Sequence, residues 1–139
     1  MKSLATELRV TRPDAIKLAR LVQRLGTGRD EQADQLQDLL DLARIVPSNE
    51  IPPEVATLDS QVLIEEDGHG SAMHVTLVLP QDADLALRRI SIVSPMGRAL
   101  LGRQVGDVVN VPLPNGAMRR VALKAIPYQP EANGIHETA

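Results

Sequence analysis

The 139-residue chain has no cysteine, no tryptophan and no phenylalanine, and Tyr128 is its one aromatic residue. Zero cysteines exclude a disulfide framework and thiolate metal sites. The near absence of aromatics removes the usual platform for stacking single-stranded bases. Positive charge is not in excess either. Fifteen Lys and Arg against 18 Asp and Glu give a net charge of −3, so the chain as a whole has no general attraction for phosphate, and direct DNA contact is not indicated by charge. No stretch has the apolar length of a membrane span or a signal-peptide core, and the chain reads as cytoplasmic, with no membrane and no small-molecule substrate as partners. What remains is ordinary globular composition, 43% hydrophobic and 24% charged, with a core to be built from Val, Leu, Ile, Ala and Met.

From Thr11 to Val46 the apolar spacing is helical. Thr11 is a candidate N-cap, Pro13 falls in the first turn, and Asp14 stands three residues after Thr11 as in a capping box. Leu18, Leu21, Val22 and Leu25, flanked by Ile16 and Ala19, form one stripe. "RLGTGRDE" then interrupts the pattern at Gly26 and Gly28. The spacing predicts a second helix from about Asp30 to Val46, with Leu36, Leu39, Leu40 and Ala43 inward and Leu42 and Val46 widening the stripe. Two stripes across a short turn make an antiparallel helical hairpin. Residues 12 to 29 carry Arg12, Lys17, Arg20, Arg24 and Arg29 against Asp14 alone. The second helix opens with Asp30, Glu31, Asp34, Asp38 and Asp41, so opposite charges support the pairing weakly, at ~0.2–1 kcal/mol per exposed pair.

The prolines of "VPSNEIPPEVATLDS", residues 46 to 60, stop the second helix and read as a linker. Beyond it the period changes to that of strands: "QVLIEE", "AMHVTLVL", "RRISIV", "DVVNVPL" and "MRRVALKAI", separated by turns such as Asp67-Gly68 and "PNG" at 114 to 116. The expectation is an antiparallel sheet of about five strands, with "GRALLG" forming a short helix between the third and fourth and Gly102 as its stop. The fold class is therefore α+β: a helical hairpin over residues 1–47, a linker over 48–56, a β-domain over 57–130 and a flexible tail over 131–139.

Residues 90 to 126, "ISIVSPMGRALLGRQVGDVVNVPLPNGAMRRVALKAI", resemble the C-terminal domain of the Gre transcript-cleavage factors. The serine-proline step, arginine-alanine-leucine-leucine, valine-glycine-aspartate and the Pro-x-Gly hairpin carry the likeness, which extends over roughly residues 55 to 128. The short hairpin and the ending "IPYQPEANG" resemble one branch of that family more closely, the regulators of nucleoside diphosphate kinase. The resemblance implies an FKBP-like β-domain at the rim of the RNA polymerase secondary channel, with the hairpin, a coiled coil, pointing into it. By motif position the polymerase contact falls on Ser94, Pro95, Met96, Gly97, Arg98, Ala99, Leu100 and Leu101. Pro95 and Met96 are the candidates for an outward apolar knob, with Gly97 serving a turn and the two leucines covering the sheet as the competing reading.

Gre cleavage uses acidic residues at the hairpin tip to hold magnesium, a hard cation that prefers carboxylate oxygens. The tip here offers Arg29, Asp30, Glu31 and Asp34. A second helix of about 16 residues spans only ~24 Å at 1.5 Å per residue, shorter than the Gre arm. The expectation is thus a regulator that binds RNA polymerase, competes with Gre-type factors, stimulates no cleavage and influences nucleoside diphosphate kinase levels. It needs no metal or other cofactor and is not an enzyme. The alternative is a true cleavage factor using the tip acids, which otherwise complement the helix dipole. His69 and His74 lack a third converging ligand and read as solvated hairpin residues. Ser94 has no base that spacing can place near it, and "GTG" at 26 to 28 lacks the lysine and preceding strand of a phosphate loop. Arg88, Arg89, Arg119 and Arg120 read as solvated strand residues.

Overall fold

A computed structural model describes residues 7–66 and 70–136. The turn at Asp67-Gly68 and His69 lie outside the described residues. Strand β1 (Arg9–Thr11) leads directly into helix α1 (Arg12–Leu25), and helix α2 (Glu31–Leu42) returns antiparallel to it and ends in strand β2 (Arg44–Val46). The hairpin expected from the 3.6-residue period is present. Its inner stripe, Leu18, Leu21 and Val22 against Ala33, Leu36 and Leu39, is buried. Full burial of each such leucine is worth about 1.5–3 kcal/mol, so the aliphatic seam holds the pair. Arg12, Arg20, Arg24 and Arg29 are exposed to solvent, and at exposed positions charge adds little to that seam.

The second helix ends four residues earlier than the period suggested. Ala43 leaves helical backbone at φ −77°, ψ 146°, and Arg44–Val46 pair in parallel with Arg9–Thr11, Val10 opposite Ile45. A β-branched pair, Ile45-Val46, takes a strand partner that lies more than thirty residues upstream, a contact no local pattern discloses. Val10 is 2% exposed and belongs to the core.

The stretch after α2 is not a free linker. Ile51, Val55, Ala56 and Leu58 are buried, and Ala56 exchanges backbone bonds with the far side of the chain: its N–H donates to Arg103 O at 2.8 Å and its carbonyl accepts from Gly102 N at 2.9 Å. The main sheet follows, with strands β3 (Gln61–Glu66), β4 (Ala72–Val78), β5 (Arg89–Ser91), β6 (Val108–Pro112) and β7 (Met118–Tyr128) in the order β5-β4-β3-β7-β6. All five lie where the alternating runs place them. The sheet is mixed, however. β5 runs parallel to β4, with Leu77 opposite Ile90, because the chain between them crosses over through two short 3-10 turns, Pro80–Asp82 and Leu85–Leu87. The register of β3 on β7 shifts at Leu63, the kind of irregularity that bends a strand.

Helix α3 (Pro95–Leu100) sits between β5 and β6. The inner sheet face, with Val62, Ile64, Val75, Leu77, Val109, Val111, Val121 and Leu123, joins Leu100, Leu101 and the hairpin stripe in one contiguous buried cluster. The end of the chain is also tied down as far as it is described. Thr57 Oγ1 donates to Glu131 Oε1 at 2.8 Å, and His136 Nδ1 lies 3.1 Å from Ser48 Oγ, so residues 131 to 136 make contacts back to the body of the chain.

Candidate docking surface and hairpin tip

The Ser-Pro-Met-Gly stretch is the first turn of α3 and not a turn ahead of it. Ser94 is the N-cap: its Oγ accepts from Gly97 N at 3.1 Å and donates to Ser91 O at 2.6 Å. Pro95 occupies the first helical position, where no N–H is needed. The serine hydroxyl is spent on these two bonds, and its role is architectural.

Burial sorts the eight motif residues. Pro95 is exposed, and Ser94, Met96, Arg98 and Ala99 are half-buried, Met96 and Ala99 packing against the core. Gly97 is buried, and a Cβ there would sit 2.8 Å from the carbonyl carbon of Ser91 and 2.9 Å from the Cα of Ile92. Its lack of a side chain lets α3 lie directly on the end of β5. Leu100 and Leu101 are 0% and 1% exposed; they cover the sheet and offer no surface to a partner. Pro95 is thus open to solvent, while Met96 is split between core and solvent.

Arg98 folds back, its guanidinium donating to Val93 O at 2.7 Å. Partial burial lowers its pKa below the ordinary arginine value, and the Glu31 carboxylate, at the start of α2, opposes that shift. The tip of the hairpin and the face of α3 therefore feel each other's charge.

At the tip, Asp30 and Asp34 are committed to backbone. Asp30 Oδ1 accepts from Gln32 N at 2.8 Å and Ala33 N at 3.3 Å, capping α2, and Asp34 Oδ1 accepts from Gly28 N at 2.8 Å, closing the loop. Glu31 accepts from Gln35 Nε2 at 3.3 Å, and Arg29 is exposed. Among the described residues no group of three or more His, Asp or Glu side chains converges as a metal site.

Two features escaped the sequence reading. Asp14 does more than stand at an N-terminal helix position. Its N–H donates to Thr11 Oγ1 at 3.2 Å, and its carboxylate, 5% exposed, accepts from Leu58 N at 3.1 Å, joining α1 to the loop ahead of β3. Burial pushes its pKa up to about 7; the Leu58 N–H works against the rise, Glu131 adds to it, and Lys17 and Thr11 oppose it. The other is the apolar tip of the β4–β5 crossover, where Leu85 and Leu87 are 85% and 60% exposed. "DADLALRR" announces it only as two leucines inside a turn-rich stretch.

Among the described residues no helix is long and apolar enough to cross a membrane. The family model described as "Transcription elongation factor, GreA/GreB, C-term" matches residues 51–128. The "Regulator of nucleoside diphosphate kinase" of Escherichia coli strain K12 is 35% identical over 102 residues, 73% of this chain and 75% of that protein. "Transcription elongation factor GreA" of Thermotoga maritima is 39% identical over 85 residues, 61% of this chain but only 54% of the longer factor. Among solved structures, "Prokaryotic transcription elongation factor GreA/GreB from Nitrosomonas europaea" superposes with a TM-score of 0.74 at 34% identity, over 88% of this chain and all of that one. Sequence and fold agree across both the sheet and α3, and the chain belongs to the GreA/GreB family of transcription elongation factors.

Proposed function

We propose that the protein binds RNA polymerase through the exposed surface around α3, places its hairpin in the secondary channel, and regulates transcription there without stimulating transcript cleavage. In this reading the β-domain is FKBP-like and the hairpin a short coiled coil, as the Gre resemblance implies. Pro95 and the half-buried Met96 and Arg98 supply the contact, and the buried Gly97, Leu100 and Leu101 shape it from beneath.

The observation that carries the no-cleavage reading is the tip. Helix α2 has 12 residues, or about 18 Å at 1.5 Å per residue, even less than its sequence period suggested. Two of its three tip carboxylates are already occupied by backbone N–H groups. An aspartate that caps a helix through one oxygen is held at that helix end, which limits its reach toward a distant metal. The relative named for nucleoside diphosphate kinase suggests an effect on that enzyme's level, which a transcription regulator produces without touching the kinase.

The test is competition on core RNA polymerase. The protein is expected to displace a labelled Gre factor and to leave backtracked complexes uncut. Mg²⁺-dependent release of short 3′ RNA fragments would establish the cleavage-factor reading instead, and no displacement would remove the polymerase from the account.

A further inference from the structure

We propose that the β4–β5 crossover turn, residues 84–89, is a second anchor of the same docking face: Leu85 and Leu87 seat in an apolar socket of the polymerase, with Arg88 and Arg89 against carboxylates at its rim. The inference rests on the polymerase reading above and deepens it.

The turn is built rather than loose. Asp84 and Arg89 exchange two backbone bonds, each 2.9 Å, Leu87 N donates to Asp84 O at 3.1 Å, and Arg88 N donates to Leu85 O at 3.0 Å. The Asp84 carboxylate accepts from Ala86 N at 3.0 Å, and Thr76 N donates to Arg88 O at 2.9 Å, fastening the turn to β4. On this frame every residue from 81 to 89 is exposed. A pinned turn that holds Leu-Ala-Leu in water has already lost the conformational freedom that a loose loop would lose on binding.

Arg88 supplies an independent observation. Its backbone is left-handed, φ 57° and ψ 37°, a conformation that glycine adopts without strain and that a side chain with a Cβ resists. Local strain of this kind, kept where glycine would relieve it, points to a use for the side chain. Arg88 and Arg89 form no ion pair among the described residues. The nearby acids are Asp84, bound to the turn's own backbone, and Asp82, on the preceding 3-10 turn.

Position joins the turn to α3. β5 is an outer strand of the sheet, running from Arg89 at the turn to Ser91, whose carbonyl receives the Ser94 hydroxyl, and Arg98 folds back onto Val93. The Leu-Ala-Leu tip, the strand edge and the exposed Pro95 thus lie along one border of the molecule. Arg88, Arg89 and Arg98 punctuate it, which fits a partner surface that is apolar in its pockets and acidic around them.

Binding of the full chain to core polymerase is measured at two salt concentrations, alongside thermal melts, for four proteins: wild type, Leu85→Ser/Leu87→Ser, Arg88→Gly and Pro95→Asp. The leucine variant is expected to keep its melting temperature and to bind about tenfold or more weakly. Arg88→Gly is expected to melt at the same or a higher temperature yet bind more weakly, with a shallower salt dependence, opposite signs that a merely structural residue does not give. If Pro95→Asp weakens binding while the leucine and Arg88 variants bind as wild type, the anchor is overturned and the α3 reading stands. If wild type does not bind, both fall. Sedimentation showing that the leucines mediate self-association would also overturn the proposal.

Discussion

At Gly97 the backbone of α3 meets the backbone of β5, and no flexible side chain is there to yield to an added methyl. Gly97→Ala is therefore expected to destabilise the fold by about 1–3 kcal/mol, the usual range for overpacking, although helix propensity alone favours alanine. Urea unfolding should show a lower midpoint with an unchanged slope. Gln129 is a second such residue. It is 2% exposed, and its Nε2 donates to the carbonyls of Pro52 and Val55 at 2.8 and 2.7 Å. Gln129→Ala would leave the Val55 carbonyl without this donor, at about 1–3 kcal/mol, while Pro52 O keeps the Val55 N–H at 3.1 Å; the loss is measurable in the same experiment. Neither role shows in the sequence, where one residue is a glycine in a serine-proline motif and the other a glutamine near the end of a strand.

At the level of elements, the two caps are separable tests. Asp30→Ala removes the acceptor for two N–H groups of α2, and Ser94→Ala removes the one that starts α3. Each is expected to cost about 0.5–2 kcal/mol. Ser94→Ala is further expected to weaken polymerase binding more than Asp30→Ala, since it loosens the helix that carries Pro95; equal binding by the two would count against α3 as the contact. The elements themselves were legible wherever the information is local. Period 3.6 gave the hairpin, period 2 gave five strands near their observed positions, and the glycine at 102 marked the end of α3. The misreadings share one cause, which is pairing across distance. Arg44–Val46 continue a helical pattern on paper and become a strand because Arg9–Thr11 are within reach. β5 is parallel because its crossover carries the chain back along β4 as far as Thr76, so that Arg89–Ser91 run beside Thr76–Val78 in the same direction. The motif at 94–101 was found, but which of its residues face solvent depends on the sheet beneath, so Leu100 and Leu101 could be placed only in three dimensions.

For the whole molecule, Asp14 links acidity to cohesion between hairpin and sheet. Its carboxyl titrates near 3.8 when unfolded and about 7 when folded. Between those values the folded chain retains a proton that the unfolded chain has released, so stability falls as pH rises from about 4 to about 7 and levels off above. Below about 4 both states are protonated and the contribution is complete. A shift of this size corresponds to at most about 4 kcal/mol at 1.36 kcal/mol per unit. Asp14→Asn, which still accepts from Leu58 N, is expected to flatten that slope in denaturant titrations across the range. An unchanged slope would assign the pH dependence to other groups. Thr11, Arg44 and Gly102 close the hairpin's root: β1 and β2 clasp each other, and Arg9 N donates to Gly102 O at 3.2 Å, just past α3. An arm bolted at both ankles behaves as a bracket and not a whip. Under the docking proposed above it would arrive already aimed, and whatever grips its base would set the direction in which it points.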